Sequence, residues 1–387
     1  MNAKKFFSTV LPVMFGFIIM SFVDLAGIAA NYAKESFEVS DTVSKLLAVA
    51  CFIWFLLLSV PTGIAMNKWG RKPLVIVSFI VTMAGMLVPV AFMDSFAAIL
   101  VAFCLLGVGN TILQVALNPL VQDVVGKDGL TGTLTIGQAL KATMSLITPI
   151  LLPIFASAFG HWQLAFLIFA AISLVALVWL AFAPVEKKID PNANLSVLGT
   201  VALLKDRTIL LFFIAILILV GVDVGTSATL PRLLQEKAGL SLDQGTALTS
   251  FYFAAKALAA FAGGVLLMKT SERSFYAISS VLALAGLLLM LLGSGKGLII
   301  GGVIVFGAGY ANLFSIIFGL ALKHAPDRSN EVSALLITGV AGGAIVTPLL
   351  GVVYESFGTY NASVVLLAAI FIYVLALIGL VNRTSRE

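Results

Sequence analysis

Apolar residues fill long stretches of this chain, and short polar segments interrupt them at regular intervals. About twelve stretches reach the ~20 apolar residues that a helix needs to cross a bilayer. They lie near 6–32, 43–66, 73–93, 95–121, 132–159, 161–183, 208–234, 244–268, 273–293, 296–322, 331–355 and 360–382. This pattern predicts an all-α integral membrane protein with twelve transmembrane helices and no stretch left for a separate folded domain.

Composition and charge support a membrane location. The chain is 60% apolar and 11% charged, whereas soluble domains average roughly 25% charged residues. If the N-terminus lies inside, the inner loops hold 16 Lys and Arg residues and the outer loops hold 5. Such a bias predicts both termini in the cytoplasm, so the net charge of +5 indicates topology and not a nucleic-acid partner. We expect a monomer in the lipid bilayer of the cell membrane, which in a bacterium is the inner membrane.

The sequence offers little for catalysis. Cys51 and Cys104 both lie in apolar stretches, which does not suggest a disulfide framework. His161 and His324 stand at loop edges without metal-ligand spacing or a nucleophile–base pair. We therefore expect no enzymatic activity, no cofactor and no metal site. A membrane sensor would need a cytoplasmic signalling domain, for which the spans leave no room.

The two halves of the chain share short motifs at a nearly constant offset of 199 or 200 residues. Such a repeat predicts two parallel six-helix bundles, with a substrate site between them near the middle of the membrane. We expect bundles at 1–183 and 208–387, joined by a cytoplasmic linker at 184–207 with a short helix near 195–204. The matching motifs are Val23-Asp24 with Val222-Asp223, Gly107-Val108-Gly109 with Gly307-Ala308-Gly309, and Thr148-Pro149 with Thr347-Pro348.

Four ionisable residues fall within the apolar stretches: Asp24, Lys141, Asp223 and Lys256. Each charge at a bilayer centre costs ~2.5–3.5 kcal/mol on insertion scales, so their presence is typical of a transporter. One interpretation is two structural ion pairs, Asp24 with Lys141 and Asp223 with Lys256. The other makes Asp24 and Asp223 proton-coupling residues, in which protonation of Asp24 breaks its pair and frees Lys141 for substrate.

Polar residues also form stripes in the first half. Asn110, Gln114 and Asn118 recur every four residues, which places them on one helix face. Gln138 and Lys141 share a face of the next helix. Amides offer both donors and acceptors, as sugar hydroxyls require, so we predict that these residues bind substrate. The alternative is hydrogen bonding between helices.

The second half contributes Tyr310, Asn312 and Phe314 on its fourth helix, together with Lys256. An aromatic ring beside an amide suits the C–H face of a pyranose, and we predict that these four residues contact substrate. The chain has 28 Phe residues, most of which we expect in the core or against lipid.

A basic loop separates the second and third helices and contains Gly63, Asn67, Gly70, Arg71 and Lys72. Its basic residues can cap helix C-termini. We interpret it as a conformational loop, with a purely topological role as the alternative.

These motifs together resemble the major facilitator superfamily. The 63–72 loop is similar to its loop between helices two and three, although Asn67 stands where an acid is usual. Within the superfamily the chain resembles the fucose–galactose–glucose:proton symporter family across both halves. The segments that carry this resemblance are Leu113-Gln114-Val115-Ala116-Leu117-Asn118-Pro119, Gln138-Ala139-Leu140, Phe314 and Phe318 with Leu320-Ala321-Leu322, and Gly342-Gly343-Ala344-Ile345 with Pro348-Leu349.

The resemblance implies secondary active uptake of a monosaccharide driven by protons, with Asp24 as a coupling residue. The chain departs from the family pattern at several further places. Gln114 replaces a frequent acid, Lys141 replaces an asparagine, and Ala260 stands at an expected arginine with Lys256 one turn earlier. Because a lysine suits a carboxylate, a sugar acid or other organic anion bound by Lys141 remains an alternative substrate. Sodium as the coupling ion and export of a drug-like compound also remain open.

Overall fold

A computed structural model describes residues 6–185, 197–266, 271–325 and 328–384, and these residues are almost entirely helical. Eleven stretches are helical, apolar and long enough to cross a membrane. The remaining predicted span, 244–268, corresponds to the helices Leu242–Leu248 and Ser250–Leu266, of which the second has 17 described residues. The all-α membrane fold is thus confirmed. Spans 1 to 7 are Phe7–Ser36, Asp41–Met66, Arg71–Ala91, Phe96–Leu117, Ile136–Phe159, Trp162–Phe182 and Arg207–Ala238. Span 8 is Ser250–Leu266, and spans 9 to 12 are Glu272–Leu292, Lys296–Ala321, Ala334–Phe357 and Tyr360–Val381.

Several spans are built from more than one helix. In the first half the helices are a π-helix Phe6–Val10, Leu11–Met20, a 3-10 turn Ser21–Asp24, Leu25–Ser36, Asp41–Ser44, Leu46–Trp69, Arg71–Ala91, Phe96–Phe159, a 3-10 turn Trp162–Ala165 and Phe166–Phe182. In the second they are Val197–Ala202, a 3-10 turn Leu203–Lys205, Arg207–Ala238, Leu242–Leu248, Ser250–Leu266, Glu272–Leu292, Lys296–Tyr310, Leu313–His324, Ser329–Thr338, a 3-10 turn Gly339–Ala341, Gly342–Phe357, Tyr360–Ala376 and Ile378–Thr384. The short helix expected near 195–204 is present as Val197–Ala202 and the turn that follows it.

Spans 4 and 5 belong to one continuous helical element, Phe96–Phe159, where two separate helices were expected. Asn110 donates to the backbone oxygen of Met20 at 3.1 Å, and Ser145 donates to Asp24 at 2.5 Å. In a straight helix, positions 110 and 145 would be roughly 50 Å apart. Their partners Met20 and Asp24, however, are only one helical turn apart in span 1. The chain therefore doubles back between them, and spans 4 and 5 lie side by side against span 1.

The first span is interrupted in its middle by the 3-10 turn Ser21–Asp24. Loss of the regular i to i−4 pattern leaves backbone carbonyls that need other donors. The Asn110 amide supplies one for Met20, and the Ser21 hydroxyl donates to the oxygen of Ile18 at 2.6 Å. The interruption places Asp24 at the junction of two helical segments.

The two groups of six spans pack against each other at several places. Span 1 packs against span 7, span 2 against span 11, and the element Phe96–Phe159 against span 8. Spans 1 and 7 approach very closely, because a Cβ on Gly27 would lie 3.0 Å from the oxygen of Val224. We call the end of the molecule that carries the connections at 37–40 and 239–241 the far face, and the opposite end the terminal face. The domain boundaries at 183 and 208 stay a prediction, and residues 186–196 of the linker lie outside the described residues.

Candidate functional site

Asp24 lies at the break in span 1, where it is partly exposed. Its carboxylate accepts a hydrogen bond from Ser145 of span 5, and the same hydroxyl contacts the backbone oxygen of Lys141 at 3.0 Å. The expected ion pair with Lys141 is not found. Among the described residues, the side chain of Lys141 has no carboxylate within 4.0 Å and no hydrogen bond. The serine hydroxyl, one turn along the helix, takes the place that the lysine was predicted to fill.

Asp223 and Lys256 form the ion pair that the sequence suggests. The Lys256 ammonium donates to one carboxylate oxygen at 2.5 Å, and the Tyr252 hydroxyl donates to the other. The side chains of Lys256 and Asp223 are 19% and 18% exposed, so the pair is neither sealed in the core nor fully hydrated. The ammonium also lies 5.5 Å from the centre of the Tyr252 ring and 4.9 Å from that of Tyr310, distances at which a cation is attracted to an aromatic face.

Asp24 and Asp223 belong to one electrostatic neighbourhood. A Cβ on Gly27, one turn after Asp24, would lie 3.0 Å from the backbone oxygen of Val224, the residue that follows Asp223. We define the central cluster as Asp24, Lys141, Asp223, Tyr252 and Lys256. It holds two acids and two lysines between the halves, with one lysine in an ion pair and the other without a counter-ion among the described residues.

The amide stripe of span 4 divides between two roles. Asn110 is fully buried, and its amide nitrogen binds the carbonyls of span 1 while its oxygen accepts from Gln114 at 2.8 Å. The geometry thus gives Asn110 an interhelical contact in place of the predicted substrate contact. Gln114 is partly exposed, whereas the side chain of Asn118 lies outside the described residues. Gln138 is exposed one turn before Lys141, as the shared face predicts.

The predicted substrate residues of the second half are also used for packing. Asn312 is 7% exposed and donates to the backbone oxygen of Ala259 at 2.9 Å, so its amide bridges spans 8 and 10. Tyr310 is buried with its ring 5.6 Å from that of Phe306. Phe314 is partly exposed and stacks on Phe318 at 5.8 Å. The Tyr310 ring borders the central cluster, because its centre lies 4.9 Å from the Lys256 ammonium.

The sequence matches the profile of the Major Facilitator Superfamily over residues 10–348 and again over 226–387. The chain belongs to this superfamily. Its members are transporters and not enzymes, which agrees with the absence of enzymatic activity expected from the sequence. Among curated proteins it is 25% identical to a glucose/galactose transporter of Brucella abortus biovar 1 (strain 9-941), over 97% of this chain and 93% of the relative. A putative glucose/galactose transporter of Helicobacter pylori (strain J99 / ATCC 700824) is 23% identical, over 94% of each chain.

Solved structures of the superfamily share this fold. The transporter FucP in its outward conformation superposes with a TM-score of 0.72 at 18% identity, over 96% of this chain and 98% of that one. A mutant of the nucleoside transporter NupG superposes with a TM-score of 0.74 at 14% identity, over 96% and 98% of the two chains. At these identities the likeness establishes the major facilitator fold with its two six-helix repeats, and nothing about substrate.

The basic loop of this superfamily member makes contacts within the first half. Gly70 has a φ of 86°, which ends the helix Leu46–Trp69 and starts the next at Arg71. Arg71 pairs with Asp123 at 2.8 Å. Lys72 donates to the oxygens of Ala181 and Ala183 at 3.2 and 2.7 Å, the expected cap on a helix C-terminus. Gly63 is buried and the side chain of Asn67 lies outside the described residues, so a conformational role for the loop stays a prediction.

Sequence reasoning missed a buried polar contact that closes the far face. Arg232 of span 7 is 6% exposed and donates to the side-chain and backbone oxygens of Asn31 in span 1, at 3.2 and 2.7 Å. It also donates to Glu35 at 2.8 Å and Gln235 at 3.1 Å, and the Asn31 amide donates to the oxygen of Ala228 at 2.9 Å. We call Asn31, Glu35, Arg232 and Gln235 the far-face seal. The signal available in the sequence was Arg232 itself, an arginine directly after Pro231 at the end of an apolar stretch.

A second cluster joins the halves beside the far-face seal. Asp41 is buried against Lys45, pairs with Lys34 at 3.0 Å and accepts from the Tyr360 hydroxyl at 2.8 Å. The ammonium of Lys34 lies 4.5 Å from the centre of the Tyr354 ring. Together the two clusters link spans 1, 2, 7, 11 and 12 at the far face.

Proposed function

We propose that this chain is a proton-coupled symporter of a monosaccharide or sugar derivative that works by alternating access. The curated relatives of similar length are named as glucose/galactose transporters. One solved structure with this fold is that of the fucose:proton symporter FucP of E. coli. These names supply the sugar class, and the residues of the central cluster supply the argument for ion coupling.

The observation that carries the proposal is the state of Asp24. It is partly exposed at the break in span 1 and is hydrogen bonded to a serine, with no ion pair to a lysine among the described residues. A proton can therefore bind Asp24 without breaking an ion pair. Protonation of Asp223 would instead remove the counter-ion of Lys256. We therefore assign proton coupling to Asp24, and we assign Asp223 to holding Lys256 and Tyr252.

Alternating access is supported by the polar contacts between the halves at the far face. The far-face seal and the Asp41 cluster both join the first half to the second at one end of the molecule. With both termini in the cytoplasm, this arrangement is closed toward the outside. Rocking of the bundles 1–183 and 208–387 about the central cluster would separate these contacts, open the far face and close the opposite side.

The test is transport by the purified protein in liposomes. Uptake of radiolabelled glucose, galactose, fucose, glucuronate and galacturonate is measured with and without an inward proton gradient. We expect at least one of these compounds to accumulate only with the gradient. Asp24→Asn should abolish accumulation and retain exchange of labelled for unlabelled substrate, because binding and rocking persist without the titrating group.

Asp94→Asn is the matched control, since Asp94 is exposed in the connection between spans 3 and 4. This variant should accumulate substrate as the parent does. Gradient-driven accumulation by Asp24→Asn would refute the role of Asp24. Accumulation that follows a sodium gradient at constant pH would replace the proton with sodium as the coupling ion.

One observation favours a second candidate substrate, a sugar acid or other organic anion. Lys141 lies one turn from Ser145 and is partly exposed, with no counter-ion among the described residues. A buried or half-buried cation normally has a partner, and a substrate carboxylate would provide one.

A further inference from the structure

The central cluster has a charge balance that limits what it can carry. Asp223 and Lys256 neutralise each other at 2.5 Å. Asp24 and Lys141 balance in number, although they are not paired. When a proton binds Asp24, the cluster is left with one uncompensated positive charge, and that charge is on Lys141.

The groups that surround Asp24 do not remove this charge. Ser145 faces Asp24 from span 5 with a neutral hydroxyl. Among the described residues, no Lys, Arg or His nitrogen lies within 4.0 Å of the Asp24 carboxylate. The other acid of the cluster, Asp223, already has Lys256 as its partner.

We infer that the proton-loaded central cluster selects a substrate with one negative charge, so that proton and substrate cross the membrane together as an electroneutral pair. The substrate carboxylate binds Lys141, and Gln138, exposed on the same helix face, is available to a hydroxyl. This inference rests on the proposed function and makes it narrower: the sugar derivative is a sugar acid. Moving net charge through the middle of a bilayer is costly, and a neutral loaded cluster avoids that cost.

The experiment separates this inference from proton coupling itself. Proteoliposomes receive an inward proton gradient of about one pH unit, with the membrane potential held at zero or at about 100 mV inside-negative by potassium and valinomycin. One elementary charge moved across 100 mV changes the accumulation ratio by about 50-fold. Galacturonate and glucuronate serve as anionic probes, galactose and glucose as neutral ones, and liposomes without protein report leakage of the acids.

We expect about tenfold accumulation of a uronate at one pH unit, with the same ratio at both potentials. Accumulation of a uronate that rises toward 50-fold higher with the potential would overturn the inference. Accumulation of only the neutral sugars would also overturn the inference. That accumulation must increase with the membrane potential, because the proton then crosses with its charge uncompensated. If no probe responds to the pH gradient, proton coupling itself is refuted and the inference fails with it.

Substitution of the lysine gives a second measurement. Lys141→Gln should lower uronate uptake at least tenfold, and Lys141→Arg should restore part of it because the charge is kept. Lys296→Gln is the control, since Lys296 is exposed at the far face. Equal uronate uptake by the parent and Lys141→Gln would overturn the assignment of Lys141. The measurement on the parent protein decides the question even if the variant does not fold.

Discussion

Substitution of Arg232 by Met should open the far face. Arg232 and Asn31 lie in different halves, so their hydrogen bonds exist only while spans 7 and 1 are in contact. Methionine keeps an unbranched side chain of similar reach and removes the guanidinium. The bilayer-facing surface of the protein does not change, because Arg232 is 6% exposed.

The size of the effect follows from the individual contacts. A hydrogen bond from a charged donor is worth about 1.5–3 kcal/mol, and Arg232 makes two buried ones to Asn31. The pair with Glu35 adds little, because the Glu35 side chain is 50% exposed and exposed ion pairs contribute about 0–1 kcal/mol. If these contacts stabilise the closed far face by about 3 kcal/mol in total, Arg232→Met shifts the equilibrium away from it by roughly 100-fold.

Electron–electron double resonance between spin labels at Glu38→Cys and Ser294→Cys measures this shift. Both positions are exposed at the far face, one in each half, and Cys51 and Cys104 are first replaced by alanine. The parent should give one short distance, and Arg232→Met should add a longer one.

Arg207→Met is the control, because Arg207 is exposed at the start of its helix. It should give the distance distribution of the parent. If Arg232→Met also gives the distance distribution of the parent, the hydrogen bonds of the far-face seal do not hold the far face closed, and the expected shift of roughly 100-fold is wrong.

Two further predictions concern stability in detergent, measured by thermal unfolding. Lys256→Met should lower the free energy of unfolding by about 2 kcal/mol. This is below the range for fully buried pairs, because each partner is almost a fifth exposed. Adding Asp223→Asn should recover most of the loss, and a double variant whose loss equals the sum of the two single losses would contradict the pairing argument. Gly342→Ala should cost about 3 kcal/mol or prevent folding, since its Cβ would lie 1.8 Å from the backbone oxygen of Leu217. Gly301→Ala, with nothing within 4 Å of the new Cβ, should have a melting temperature equal to or above that of the parent. Equal melting temperatures for both glycine variants would refute the packing account.

Hydropathy predicted the spans well because the bilayer imposes a local rule. Every backbone group in hydrocarbon must be satisfied within its own helix, so a long apolar stretch is enough to locate a span. The structure has Arg71–Ala91 and Glu272–Leu292 where 73–93 and 273–293 were expected. The 3-10 turn at Ser21–Asp24 was not predicted. The Met20 carbonyl just before it accepts from Asn110 of another span, a contact that the local sequence does not reveal.

Side-chain partners were harder to predict, because they depend on contacts between spans. The Asp223–Lys256 pair was among the interpretations of the sequence, and it is present. The analogous pair in the first half is not found among the described residues. Ser145 and Lys141 lie on the same helix face one turn apart, so the position of span 5 along its axis decides which of them meets the carboxylate. Helical periodicity gives the face of a residue, but not its height beside a neighbouring span.

The partners of Arg232 include a main-chain oxygen, that of Asn31, which any amino acid at position 31 would provide. Substitution of the asparagine therefore keeps the shortest of the contacts from Arg232 to span 1. It removes the side-chain contact to Arg232 and the hydrogen bond from the Asn31 amide to Ala228. Covariation between positions 31 and 232 should accordingly be weak, and a search for gating residues based on co-varying pairs would pass over this contact.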